Sequence, residues 1–513
     1  MALSFLLTKI VATLGPACAR PAEMKRLIDA GTRVFRLNFS HGSPDDHEAL
    51  LTAARKAAVS ADRPIAIIGD LSGPKIRVGP VVEGGIILKA GQRVDFTIGE
   101  VIAGKTEPDT DAAVVLSTTL SQILDDAQPG QRLLIDDGAV RLLIINKIKD
   151  DHGPRLVARV TVGGTVTAGK GINLPDSDLT LPSLTEHDRR CVDWALEHEL
   201  DYLALSFVRS AADLTDLKEK IAGQTDDGAV PVPIIAKIEK PQALNDLDGI
   251  LDEADAVMVA RGDLGVEMDV TRVPILQKKI INRAHDYGKP VIVATQMLQS
   301  MIERPYPTRA EVSDVAQAIL DGADAVMLSG ETAVGNHPER SVEMMARVAR
   351  TTQGHLAGEG RRPVNPPKLL QESRYRTAAM AHGVSVIVRD MDVHLIAIWS
   401  QRAGGARYLS QNRLAIPIVA ASSNPKIVRR MTLMYGIIPL QMDKPADTGA
   451  FAERIDDQIV QRDWADAGEP IVIVAGEPIG TPGVTNTVLV HYLGEACHLG
   501  DTPDRDAPSP EDG

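Results

Sequence analysis

Ile235-Ala236-Lys237-Ile238-Glu239 and, a little further on, Ala260-Arg261-Gly262-Asp263-Leu264-Gly265 set the terms for the rest of the chain. In each, a short apolar run ends in charged groups. Side chains two apart on a strand point to the same side, so Lys237 and Glu239 face one cavity. The apolar run before Arg261 delivers Asp263 from the next strand end. Two carboxylates and an ammonium suit a divalent ion and a phosphorylated, anionic substrate. A buried structural ion pair between Lys237 and Glu239 would leave the same local pattern, so the remaining strand ends have to decide.

They do so by repetition. Strand patterns occur at 9–14, 34–39, 65–69, 202–207, 234–238, 256–260, 291–294 and 325–328. Helical patterns lie between and after them, near 21–30, 44–60, 185–199, 211–222, 241–253, 273–287, 308–321 and 338–352. Ser43-Pro44 and Lys240-Pro241 mark helix starts. Strict strand–helix alternation of this length predicts an α/β fold built on a closed (β/α)8 TIM barrel, with an open doubly wound sheet as runner-up. Catalytic groups of such barrels sit at the carboxyl ends of the strands. Here those ends carry Arg36-Leu37-Asn38-Phe39-Ser40-His41, Asp70, Lys237 and Glu239, Arg261-Gly262-Asp263, Thr295-Gln296, and Ser329-Gly330-Glu331. Any one of these residues could serve structure alone. Six strand ends aimed at one mouth do not.

The barrel is expected at 1–73 and 175–353. Between its parts, 74–174 is punctuated by glycines and poor in helical periodicity, as in Gly85-Ile86-Ile87-Leu88 and Val94-Asp95-Phe96-Thr97-Ile98. It reads as a small inserted β-barrel domain acting as a lid over the mouth. A Gly-, Pro- and Arg-rich linker is expected at 354–367, an open α/β domain at 368–499 and a disordered acidic tail at 500–513.

Composition narrows the function. The 513 residues allow roughly three domains at about 150 residues each. A net charge of −14 and only 3% aromatic residues argue against nucleic acid and against an anionic membrane surface. Three dispersed cysteines show no metal-ligand spacing and fit a reducing, cytoplasmic setting. The start, with no basic region or cleavage pattern, does not read as a signal peptide, and no apolar run is long enough to span a membrane.

The motifs Lys9-Ile10-Val11-Ala12-Thr13-Leu14-Gly15-Pro16, Arg36 to Gly42, Gly73-Pro74-Lys75-Ile76-Arg77, Ile135-Asp136-Asp137-Gly138, Lys237-Ile238-Glu239, Ala260 to Gly265, Ala294-Thr295-Gln296-Met297-Leu298 and Met327 to Glu331 resemble the pyruvate kinase family over about residues 8 to 495. The resemblance implies transfer of a phosphoryl group from phosphoenolpyruvate to ADP, giving pyruvate and ATP. It implies Mg2+, or Mn2+ in its place, on Glu239 and Asp263. Lys237 would neutralise the transferring group and the enolate, and Arg36 would hold the phosphoryl oxygens. The Gly262 and Asp263 amides would take the substrate carboxylate as a helix-start anion site. Thr295, with Ser329 and Glu331 nearby, would serve enolate protonation through a water relay. Asn38, Ser40, His41, Arg77 and Lys170 would contact the nucleotide. A homotetramer is implied by resemblance only.

Two departures from the family pattern qualify this. Where many members carry Asp-Thr and a Glu after Gly-Pro, this chain has Asp70-Leu71 and Lys75. Lys75 puts an ammonium near the K+ position beside Asn38, Ser40 and Asp70, which resembles the K+-independent branch and predicts turnover without K+. The loop of the third domain, Ser400-Gln401-Arg402-Ala403-Gly404-Gly405-Ala406-Arg407, holds one hydroxyl. That puts fructose 1,6-bisphosphate activation in doubt, while Ser400, Arg402, Gly404, Gly405 and Arg407 suit a smaller phosphorylated effector such as AMP or a sugar monophosphate. The competing functions are a catalytically impaired metabolite sensor and another barrel enzyme handling phosphoenolpyruvate or an enolate. A sensor would be expected to lack Lys237, Glu239, Asp263 or Thr295, and all four are present.

Overall fold

The structure is a computed structural model and describes residues 5–99, 101–104, 113–150, 153–177, 181–226, 228–358, 375–481 and 483–495. The 359–367 part of the expected linker and the 500–513 tail lie outside the described residues.

The strands β1 (Lys9–Thr13), β2 (Thr32–Asn38) and β3 (Ala66–Asp70) precede an insertion carrying β4 (Ile86–Leu88), β5 (Arg93–Ile98), β6 (Val114–Thr118), β7 (Arg132–Ile135), β8 (Val140–Asp150), β9 (Gly153–Val162), β10 (Gly164–Val166) and β11 (Ile172–Asn173). The chain then returns with β12 (Tyr202–Leu205), β13 (Ile234–Ile238), β14 (Ala256–Ala260), β15 (Val291–Ala294) and β16 (Ala325–Leu328). The strands β1, β16, β15, β14, β13, β12, β3 and β2 close in that order into a barrel, so the TIM-barrel expectation holds. Every residue of β13, β14, β15 and β16 is buried, as continuous apolar runs require when a strand is covered on both faces.

A repeated device at the amino ends of the strands was not read from the sequence. Asp201, Asp255 and Asp324 each precede a strand, and each accepts the amide of a residue on the strand beside it: Ile67 at 2.9 Å, Ile234 at 2.9 Å and Val291 at 2.8 Å. Polar groups at this face of a barrel serve stability and register, leaving the opposite face for chemistry.

The helix expected at 241–253 is two pieces, Pro241–Asn245 and Leu247–Glu253. Asp246 breaks it because its carboxylate accepts the Ala211 amide at 2.8 Å. After β14 a seven-residue helix, Arg261–Glu267, precedes the expected one at Val273–Asp286. The last barrel helix runs over Pro338–Gly358, past the expected linker start at 354. Gly354 weakens that stretch by about 1 kcal/mol relative to Ala without ending it.

The insertion forms a six-stranded sheet in the order β11-β7-β8-β9-β5-β6 and a β10-β4 pair. Phe96, Leu116, Leu133, Leu142 and Leu156 belong to its own apolar core. Barrel and insertion together make one compact unit, 10–63 and 67–348. The second unit takes in 1–9, 64–66 and 349 onward. Its sheet, β19 (Ile437–Gln441), β18 (Ile418–Ser422), β17 (Leu395–Trp399), β20 (Pro470–Ala475) and β21 (Thr487–Tyr492), is parallel except for β21. Ile396 and Ile398 of β17 pack into one core while Leu395, Ala397 and Trp399 pack into another, so both faces of this open α/β sheet are covered. No helix among the described residues is long and apolar enough to cross a membrane.

Candidate active site

The end of β13 carries the densest buried charge. Lys237 Nζ lies 2.8 Å from Glu239 Oε1 and 3.3 Å from Asp70 Oδ1, and donates to Ser206 Oγ at 2.7 Å. Asp70 also accepts from Arg36 Nε at 2.6 Å, and Arg36 Nη1 reaches Thr13 Oγ1 at 3.1 Å. Asp70 and Glu239 are each 1% exposed. Burial alone would lower the Lys237 pKa, but the Asp70 and Glu239 carboxylates override it and hold the ammonium well above its ordinary value. Burial would raise Asp70, yet Lys237 and Arg36 keep it below the usual carboxylate range. Glu239 goes the other way. Burial pushes it up, Lys237 opposes this, and the nearby Asp263 charge adds to the rise. So a structural ion pair does exist at Lys237, but it is shared unevenly and leaves Glu239 under-compensated.

That imbalance bears on metal binding. Glu239 Oε2 accepts the Phe207 amide at 2.9 Å. Glu239 Oε1, although close to the ammonium, is buried with no hydrogen bond of acceptable geometry. Asp263 lies in the first turn of Arg261–Glu267 and is partly exposed in the same cleft as Lys75, Asp137, Phe207 and Lys240. Asp70, Glu239 and Asp263 put three carboxylates near Lys237 and Arg36, and a divalent cation there would offset their repulsion of a phosphorylated anion. No group of three or more metal-ligating side chains occurs among the described residues. Two hard carboxylates, Glu239 and Asp263, fit Mg2+, which keeps waters and takes substrate oxygens, better than an ion that needs a full protein cage.

Thr295 and Gln296 follow β15 in the left-handed region, at φ 71° and 54°. This backbone, costly for a β-branched residue, turns the Thr295 side chain toward the end of β14. Its hydroxyl donates to Ala294 O at 2.6 Å and accepts the Gly262 amide at 2.7 Å. The Gly262 amide, expected for the substrate carboxylate, is thus already taken, and a substrate would have to displace the threonine. Glu331 also departs from expectation. It is 1% exposed, and its two oxygens accept the Leu298 amide at 3.0 Å and the Ser329 amide at 2.7 Å. It staples the loops after β15 and β16 and has no free oxygen to offer as a substrate contact. Ser329 Oγ is buried without a hydrogen-bond partner among the described residues.

The expected nucleotide contacts fall on two parts of the unit, the end of β2 and the insertion. Asn38 Oδ1 accepts the Ser40 amide at 3.2 Å and His41 is exposed, all at the end of β2. Arg77 donates to Gly169 O at 2.9 Å, and Lys170 pairs with Asp136 at 2.8 Å, both within the insertion. Among the described residues no hydrogen bond or ion pair joins the two sets. Nor does one join Lys75 to Asn38, Ser40 or Asp70. Lys75 is exposed on the cleft wall, because Arg36 and Lys237 already occupy Asp70.

Two residues were missed. Ser206 accepts from Lys237 and donates to Leu71 O at 2.6 Å. Phe207, at φ 56°, aims its amide at Glu239. A polar residue directly after the apolar run of β12 was the available signal for Ser206. Nothing in the sequence marks the Phe207 backbone.

In the second unit, Ser400 Oγ accepts the Ala406 amide at 3.3 Å, Arg402 is exposed, and Arg407 Nε is buried without a partner among the described residues. Gly404 is open. A Cβ on Gly405 would lie 2.8 Å from Ile398 Cδ1, so this glycine serves packing whatever else it does.

A parallel barrel whose strand ends gather a lysine, an arginine and acidic side chains defines the class: a barrel enzyme acting on anionic substrates. The family model described as pyruvate kinase, barrel domain, matches residues 6–342, and that for the pyruvate kinase alpha/beta domain matches 378–491. The chain is 39% identical to a pyruvate kinase of Corynebacterium efficiens over 96% of this chain and 99% of that protein. It is also 39% identical to one of Mycobacterium tuberculosis over 95% of this chain and 98% of that protein. A solved pyruvate kinase structure from Cryptosporidium parvum superposes with a TM-score of 0.83 at 31% identity, covering 95% and 96% of the two chains. The chain belongs to the pyruvate kinase family of phosphotransferases.

Proposed function

We propose that the protein catalyses Mg2+-dependent transfer of the phosphoryl group of phosphoenolpyruvate to ADP, giving pyruvate and ATP, as the last step of glycolysis in the cytoplasm. The carrying observation is the buried Lys237–Asp70–Glu239 cluster with its under-compensated Glu239 oxygen beside Asp263. Glu239 and Asp263 would hold Mg2+, or Mn2+ in its place. Bound there, the metal supplies positive charge for the phosphoryl oxygens.

The remaining roles belong to the chain. Asp70 fixes Arg36 and Lys237 so that their cationic groups are preorganised for an anionic substrate. Arg36 holds phosphoryl oxygens, and Lys237 stabilises the charge that develops as the enolate leaves. Thr295, released from the Gly262 amide by substrate, and the unpaired Ser329 hydroxyl order a water that protonates the enolate. Arg77 and Lys170 bind the ADP phosphates, with Asn38, Ser40 and His41 on the barrel side. Lys75 provides the charge that K+ gives other members, so K+ is not required. The Ser400–Arg407 loop takes AMP or a sugar monophosphate, and the enzyme assembles as a homotetramer.

The test is pyruvate formation from phosphoenolpyruvate and ADP with Mg2+, coupled to NADH oxidation by lactate dehydrogenase, in Na+ and in K+ buffer, beside Lys237→Met. Equal rates in both buffers, lost in the variant, are expected. A strict need for K+ removes the Lys75 role and keeps the kinase. No activity with folded protein and candidate effectors present removes the kinase and favours a metabolite sensor.

A further inference from the structure

Glu267 is the last residue of Arg261–Glu267, one helical turn beyond Asp263. It is 3% exposed, and no step above uses it. Its Oε1 accepts two hydrogen bonds from different parts of the unit. Lys240 Nζ donates at 2.6 Å, from the residue directly after Glu239. Asn173 Nδ2 donates at 2.8 Å, from β11 of the insertion.

Each donor leads to the chemistry. The Lys240 ammonium also lies 5.6 Å from the centroid of the Phe207 ring, and the Phe207 amide is the one that fixes Glu239 Oε2. On the insertion side, β11 pairs with β7 through Ile172–Ile135 and Asn173–Leu134, and the segment leading into it carries Lys170, paired with Asp136 just after β7. Gly171 in that segment bridges to Arg77. One carboxylate oxygen therefore ties the helix bearing Asp263 and the loop after Glu239 to the stretch that holds Arg77 and Lys170.

A carboxylate withdrawn this far from water is costly unless charged and hydrogen-bonded partners compensate it. Lys240 does so from within the barrel. Asn173 is neutral and adds a hydrogen bond from the insertion to the same oxygen.

We propose that Glu267 is a positioning residue and Asn173 its catch, together setting the insertion over the barrel mouth in the register that phosphoryl transfer to the nucleotide needs. This rests on the function proposed above. A hydrogen bond to a charged acceptor is strong enough that its loss changes a rate about tenfold or more.

The test uses the full chain with Asn173→Leu, which keeps size and removes the donor, Glu267→Gln, and the double variant. Amide hydrogen exchange across 170–174 is measured in the free protein, together with kcat/KM for ADP and Tm. For Asn173→Leu, faster exchange and an about tenfold fall in kcat/KM for ADP are expected, with Tm unchanged. The double variant should cost no more than Glu267→Gln alone, as coupled residues do. Wild-type kinetics in Asn173→Leu, or additive losses in the double variant, overturn the proposal. If Glu267→Gln does not fold, Asn173→Leu decides alone. If the wild type forms no pyruvate, the kinase reading has failed, and exchange at 170–174 still decides whether the catch exists.

Discussion

The mouth of the barrel and the inserted domain both carry cations, but they hold them differently. Lys237 and Arg36 have side chains only 11% exposed and are both pinned by Asp70 at the end of β3. Lys170 and its partner Asp136 are 41% and 35% exposed, and Arg77 is held by the Gly169 carbonyl of another loop of the insertion. Charges inside a closed barrel keep their geometry because the strands cannot move and water cannot screen them. Charges exposed on the surface of the insertion are screened by water and held more loosely. The barrel cations are buried and preorganised, and those of the insertion stand closer to solvent.

Replacing Lys237 by Met tests the preorganised side hardest. It removes the ammonium, strands buried Glu239 and leaves Asp70 with Arg36 alone. Turnover in the coupled assay should fall on the order of 10²–10³-fold or more, and thermal unfolding should show a loss of about 3–5 kcal/mol. A mild effect on both would mean that water reaches the end of β13 and that the contrast with the insertion is false.

Asp70→Asn should cost about 3 kcal/mol, because Arg36 and Lys237 lose their shared anion. The pH dependence gives the sign. Asp70 is depressed in the folded chain despite burial, so its contribution is complete above the unfolded aspartate value near 3.9 and is lost as pH falls through the lower folded value. Denaturant titrations from about pH 6 downward should show the gap between wild type and variant narrowing below about pH 4. A gap constant with pH would place the cost in packing instead.

Glu331→Gln sharpens the comparison within the barrel. Gln keeps one acceptor for two amides, so stability should drop by about 1–3 kcal/mol, while kcat stays within a few-fold. A large fall in kcat at unchanged Tm would return Glu331 to the substrate.

Lys170→Met is the smallest perturbation. An exposed pair contributes well under about 1 kcal/mol, so Tm should not move, while KM for ADP rises about tenfold if the insertion supplies nucleotide contacts. A shifted Tm with unchanged KM would make Lys170 part of the scaffold.

The sequence disclosed the strands best where burial on both faces leaves an unbroken apolar run. The observed β13, β14, β15 and β16 have the bounds read from the pattern. It was weakest at short helices and loops. Arg261–Glu267 is too short for periodicity to declare, and Asp246 splits a helix through a bond to Ala211, which is distant in the chain. Of the candidate site, Lys237, Glu239 and Asp263 were legible because a charge at the end of a buried apolar strand is costly and is seldom kept without a task. Ser206 and Phe207 were not, since one looks like any loop serine and the other acts through its backbone.

What the sequence determined by itself is the alternation that closes the barrel and the polar strand ends it brings to one mouth, because both follow from local periodicity and chain order. What only the tertiary structure decided is how those groups share one another. Asp70 is spent on two cations, Glu331 on two amides, Thr295 on Gly262, and Glu267 on both Lys240 and Asn173. Each pairing joins residues on different elements, at distances and angles fixed by packing, and one-dimensional spacing carries no record of them.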